Sequence, residues 1–217
     1  GSTLPAVVEW CRQCPSRTVI IDDSGDGADM EPQGIDILSP AGGASCGYRA
    51  GQYALSYGHR SMVYLSHEGD AAWSMNRLGG IREAVEHLAV GGAVHACLTH
   101  GTDARGGTQS TALLEQAMEL PDALLWITDT DALANFAASF LAGRGLSIPS
   151  SRSLLSFGDT AIACAEGINS YDFDWAAVAR GLVDRLAGDA RTASHSARTV
   201  EGAVTERGSV QAADTGA

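Results

Sequence analysis

The sequence contains no lysine. All fourteen positive charges are arginines, set against twenty-six aspartates and glutamates, for a formal net charge of −12. An acidic chain without a basic stripe is a poor nucleic-acid binder, because phosphate neutralisation supplies most non-specific affinity. No run approaches the roughly 18 consecutive apolar residues needed to cross a bilayer. The opening GSTLPAVVEW lacks the basic and apolar regions of a secretory leader, so the cytoplasm is the expected compartment. Five cysteines, an odd number without framework spacing, do not describe a disulfide scaffold. The C-x-x-C of Cys11 and Cys14 falls late in an apparent helix rather than at a helix start. Buried or incidental thiols are expected there, not a redox pair. The chain also lacks a G-x-x-x-x-G-K-[ST] phosphate loop and a G-x-S-x-G nucleophile elbow.

What is present is an ordinary globular composition, 45% hydrophobic and 18% charged over 217 residues. That length suffices for one large domain or two small lobes. TVIID (18–22) and GIDILS (34–39) read as strands. In 45–57, Ala50, Tyr53, Ala54 and Tyr57 recur at helical spacing, and Gly58 ends the helix. RSMVYLS (60–66) is the next strand. Ser74 is placed to cap a helix with Leu78, Ile81, Val85 and Leu88 on one face.

AVHACLTH (93–100), ALLWIT (123–128) and SLLSF (153–157) read as further strands. Helices through Leu113, Leu114 and Ala117, and through Leu133, Phe136, Ala137, Phe140 and Leu141, lie between them. GINSYDF is extended, Asp174 caps a helix marked by Trp175, Val178, Leu182 and Leu186, and 199–210 alternates as strands do. Residues 211–217 are expected to be loose. Strands alternating with helices predict an α/β protein with largely parallel sheets. In such sheets the working residues lie beyond the C-terminal strand ends. Those ends are Asp22, Ser66 to Gly69, Thr128 to Asp131, and Gly158 to Thr160.

Three carboxylates, Asp129, Asp131 and Asp159, fall on these edges. Together they could hold Mg²⁺ for phosphoryl transfer, but the phosphate cradle of that chemistry is missing. Asp131 opens a helix, where a carboxylate caps free N–H groups and opposes the macrodipole. A place on a ligand rim is the second reading. His59 sits in a helix-to-strand turn, at the opposite end of the sheet from the strand tips, and reads as structural. No catalytic residue, metal ligand or cofactor is assigned, and the chain is expected not to be an enzyme.

Several segments resemble, in order and spacing, the effector-binding domain of the lactose-repressor/galactose-repressor family of transcription regulators. They are YGHRSMVYLS, NRLGGIREAVEHL, the stretch from LPDALLWITDTDALA to GRGLSIPSSRSLLSFGD, INSYDFDWAAVARGLVDRLAG and VEGAVTERGSV. The Gly-His-Arg turn and Gly-x-x-Ile-Pro carry most of the weight.

The resemblance implies two Rossmann-like parallel-sheet lobes of the type I periplasmic-binding-protein kind, joined by three hinge crossovers. A small polar effector, such as a sugar, would sit in the interlobe cleft. Lobe movement would reach a helix-turn-helix headpiece absent from these residues, so DNA contact would be made only there. A homodimer and no membrane contact are expected.

By the same resemblance, Asp22, Trp73 and Arg77 would face the effector from the first lobe and crossover side. Thr130, Asp159, Tyr171 and Phe173 would face it from the second lobe and hinge. The family's Asn-Asp pair is Thr130-Asp131 here, and its Asp-Asp pair is Gly158-Asp159, which implies an altered effector preference. The family's opening βαβαβ stretch has no counterpart in this sequence. The expectation is therefore a partial first lobe (1–66 with 172–190) and a second lobe (67–171 with 197–210). An extracytoplasmic sugar-binding protein of a transporter shares this fold and is the alternative. A Mg²⁺-dependent α/β enzyme is the third reading.

Overall fold

Three strands buried almost end to end organise the larger part of the chain. They are β3 (Ser61–Ser66), β5 (Leu125–Thr128) and β6 (Ser153–Phe157). Near-continuous burial means that helices cover both faces of the sheet, which suits parallel strands. The computed structural model describes residues 4–14, 18–22, 35–40, 42–99, 107–120, 122, 124–187 and 197–213. These divide into two units, 1–43 with 173–202 and 44–172 with 203–217. The chain passes from one unit to the other at 43–44, 172–173 and 202–203.

The second unit carries a six-stranded sheet in the order β4-β3-β5-β6-β7-β9. β4 is Ala93–Leu98, β7 is Asn169–Asp172 and β9 is Ala203–Thr205. Every pairing in it is parallel except β7 with β9. On one face, Val63, Leu65, Trp126 and Leu154 pack with Leu113 and Leu114 of α4 (Gly107–Met118) and with Leu133, Ala137 and Leu141 of α5 (Asp131–Ala142). Strand alternation sends Met62, Tyr64, Ile127 and Leu155 to the other face. There the Tyr64 hydroxyl meets Ser74 of α3 (Ala72–Leu88) at 3.0 Å.

α3 lies very close to α2 (Ala44–Ser56). A Cβ on Gly47 would overlap the Arg77 carbonyl oxygen, and one on Gly80 would overlap that of Ala44. The two helices therefore touch backbone to backbone, a spacing that any larger side chain prevents.

The first unit is smaller. β1 (Val19–Ile21), β2 (Asp36–Pro40) and β8 (Ala197–Val200) form a parallel sheet. α1 (Leu4–Arg12) contributes Val8 and Cys11 to a core with Ile20, Ile35 and Ile37. Arg185 of α7 (Trp175–Ala187) pairs with the buried Asp36 at 3.6 Å.

Several expectations change. The division falls at residue 43 rather than 66, because β3 pairs with both β4 and β5 and α2 packs on α3. Residues 199–210 split between the units. β8 pairs with β2 in the first, and β9 with β7 in the second. Ser74 does not cap α3, whose N-cap is Ala71. Its buried hydroxyl turns to Tyr64 and Ser66 instead. The start of the supposed tail is also tied down. The His59 Nε2–H donates to the Gln211 carbonyl at 2.9 Å, and Ala213 N donates to the Tyr57 carbonyl at 2.7 Å.

Two outcomes follow. Gly47→Ala should lower stability in urea denaturation by roughly 3 kcal/mol, the upper end of overpacking penalties, since backbone must move. Burial holds the His59 imidazole below its ordinary value of 6.5. The unfolded chain then takes up a proton that the folded chain refuses. Stability is full above the ordinary value and falls as pH drops from it toward the depressed folded value. The melting temperature should decline across that window, and His59→Gln should flatten the slope.

Candidate functional site

From β3 the chain runs through α3 to β4 on one side, then returns through α4 to β5 on the other. The winding reverses between β3 and β5, and open α/β sheets bind ligands beyond the carboxyl ends of the strands at such a reversal. The residues at that point are Ser66 at the end of β3, His67 after it, and Asp129 after β5.

They form a connected polar cluster. Asp129 Oδ2 accepts from Ser66 Oγ at 2.6 Å and from the His67 backbone N–H at 3.1 Å. Ser66 also meets Ser74 at 2.8 Å, and Ser74 meets Tyr64. Burial raises the Tyr64 phenol well above its usual range, and the Asp129 charge adds to this. His67 contacts Thr99 Oγ1 through Nδ1 at 3.3 Å and Ser110 Oγ through Nε2 at 3.0 Å.

Arg77 reaches this cluster from the second turn of α3. Its Nη1 donates to the Asp129 carbonyl oxygen at 3.1 Å. The guanidinium lies 4.4 Å from the Trp73 ring centre and 4.9 Å from that of Phe157. Cation–π attraction to two partly desolvated rings holds a charged group that is only 8% exposed. Phe157 in turn packs on Tyr171, ring centres 5.8 Å apart. Burial pushes the neighbouring Cys46 thiol up to about 11, while the Arg77 charge pulls the other way.

The carboxylates have separate tasks. Asp131 Oδ1 accepts from Ser156 Oγ and from Ser170 Oγ, the latter at 2.6 Å, and Oδ2 accepts from Thr160 N at 2.6 Å. It is not the helix cap. Thr130 is the N-cap of α5, its hydroxyl accepting from Leu133 N at 3.3 Å. With its oxygens filled by serines and an amide, Asp131 joins the start of α5 to the ends of β6 and β7. Asp159 pairs with Arg207 at 2.7 Å. Gly158, at φ +128°, holds a backbone conformation closed to the family's aspartate without strain. The three aspartates thus have three different sets of partners, and among the described residues no group of three or more His, Cys, Asp or Glu side chains is arranged to hold a metal.

Of the residues expected from sequence, Trp73 and Arg77 meet directly. Tyr171 is fully buried behind Phe157, and Thr130 is exposed with its hydroxyl used in the cap. Asp22 and Phe173 belong to the first unit. There Ser39 Oγ donates to the Asp22 carbonyl at 2.7 Å, with Asp22 Oδ2 at 3.2 Å. Sequence reasoning placed Ser66 and His67 on a cleft edge but missed Ser74 and Phe157 as site neighbours. Phe157 was findable as the last residue of its strand. Ser74 was hidden by its resemblance to a cap.

Asp131→Ala should cost roughly 3 kcal/mol, since it strips the charged acceptor from two buried hydroxyls and an amide. The loss should appear in chemical denaturation with no ligand present.

No curated protein sequence matches the chain. Its fold is similar to that of a LacI transcriptional regulator from a Rhodococcus species, with TM-score 0.73 and 15% identity over 95% of this chain and 73% of that one. It is similar to a LacI family regulator from Enterococcus faecium solved with bound ribose, with TM-score 0.68 and 19% identity over 98% and 77% of the two chains. It is also similar to a periplasmic binding protein/LacI transcriptional regulator from Alkaliphilus metalliredigens complexed with D-xylulofuranose, with TM-score 0.69 and 14% identity over 96% and 82%. These neighbours are binding proteins and regulators rather than enzymes. Residues 52–210 match the periplasmic binding protein-like domain. Because that match spans well over half of its length, the chain belongs to the periplasmic binding protein-like domain family.

Proposed function

We propose that this chain is the ligand-sensing domain of a cytoplasmic LacI-type transcription regulator, and that its effector is a sugar or a related small polar molecule. The observation that carries the reading is Arg77, held by two aromatic rings and the Asp129 carbonyl at the β3–β5 reversal. A buried guanidinium fixed in this way is preorganised to make charge-assisted bonds to ligand oxygens. The flat face of the half-buried Trp73 suits the apolar side of a sugar ring. The family match, and the ribose and D-xylulofuranose bound by neighbours of similar fold, support the same class of guest.

In this reading Asp159 and Thr130 stand at the rim of the site on the second unit, and Tyr171 backs Phe157. Effector binding shifts the population between arrangements of the units. A headpiece outside these residues carries the DNA contact, and the working form is a homodimer.

Thermal unfolding with D-ribose, D-xylulose and D-glucose tests the proposal. At least one of these sugars should raise the melting temperature, and Arg77→Ala should abolish the shift in a chain whose circular dichroism remains that of a folded α/β protein. A shift that survives Arg77→Ala removes this arginine from the site. A flat response to all three overturns the sugar-sensing reading.

A further inference from the structure

Of the three carboxylates at the strand tips, one has both oxygens hydrogen-bonded and one faces a cation. Asp131 accepts three hydrogen bonds, and Asp159 is paired with Arg207. Asp129 differs from both. The residue is 2% exposed, its Oδ2 is filled by Ser66 and His67, and among the described residues nothing donates to Oδ1. A buried carboxylate oxygen without a donor is costly, and such an atom in a folded protein calls for a partner. This one lies at the end of β5, beside the arginine, at the point where the sheet's topology puts a ligand.

We propose that Asp129 Oδ1 is the acceptor that selects a neutral, hydroxyl-donating guest and rejects an anionic one. This rests on the sugar-sensing reading and narrows it. Among the described residues near the strand tips, Arg207 already faces Asp159, and Arg77, which bonds guest oxygens in that reading, gives one N–H to the Asp129 carbonyl and none to Oδ1. A sugar hydroxyl gives its hydrogen to Oδ1. A phosphate or carboxylate oxygen at the same place has no hydrogen to give and meets a like charge.

Asp129→Asn is a sharp test, because its geometry dictates the amide's orientation. Ser66 O–H and His67 N–H both need an acceptor, so the amide oxygen must take the Oδ2 place, leaving NH₂ where Oδ1 was. The variant thus turns the guest-facing acceptor into a donor. Calorimetric titration of the wild-type and variant chains would use D-ribose, D-xylulose and D-glucose beside their monophosphate esters.

The wild-type chain should favour the neutral member of whichever pair it binds. Asp129→Asn should weaken neutral-sugar binding roughly ten- to hundredfold, the effect of one charge-assisted bond. It should also shrink the preference over the phosphate ester by a similar factor, a change of ratio that general loosening of the fold does not produce. Should the asparagine chain not fold, Asp129→Ser carries the same comparison. An unchanged ratio, or a wild-type preference for the phosphate, overturns the assignment while leaving sugar sensing intact. No binding to any of the sugars or esters overturns the sugar-sensing reading itself, and this inference with it.

Discussion

The second unit depends on one carboxylate that binds no guest. Asp131 gathers the hydroxyls of Ser156 and Ser170 and the amide of Thr160, and so ties the first turn of α5 to the ends of β6 and β7 and to the entry of α6 (Ala161–Glu166). Loops beyond parallel strands have few backbone partners of their own, and a buried carboxylate with both oxygens hydrogen-bonded fixes them. Gly158 fits against this carboxylate, its missing Cβ falling 3.2 Å from Oδ2. The stretch that carries Phe157 and Asp159 is therefore positioned from beneath, before any ligand is considered.

Above that floor the site is built from groups of limited freedom. Arg77 cannot swing away without leaving both Trp73 and Phe157, and Asp129 cannot turn without releasing Ser66 and His67. Burial has been offset by specific partners at nearly every polar atom in the cluster. Such a surface discriminates through whatever it leaves unsatisfied, because a mismatched guest strands a group already withdrawn from water.

Much of the fold was legible in the chain. The apolar runs 60–66, 123–128 and 153–157 contain the central strands, and Asp174 does cap α7, its carboxylate accepting from Ala177 N at 2.9 Å. The parallel architecture also follows from element order, and the resemblance implied the three crossings. The site was legible only in part. Trp73 and Arg77 could be named from the family resemblance, whereas Phe157 completes their stack from a strand eighty residues away, a contact that no local pattern encodes. Asp131 and Thr130 exchanged roles for a similar reason. Both suit a helix start, and only the serines of two later strands decide which one turns inward. The division at residue 43 was missed because strand pairing, not chain order, assigns β3 to its sheet.

The helix contact at Gly47 has a mechanical side. α2 begins at the residue where the chain first leaves the smaller unit, and its backbone rests on the carbonyl of Arg77. Close-packed surfaces without intervening side chains transmit displacement rather than absorb it. A displacement of α3 is thus handed, through the backbone contacts at Gly47 and at Gly80, to the start of α2 at Ala44, as force passes along a short rigid lever.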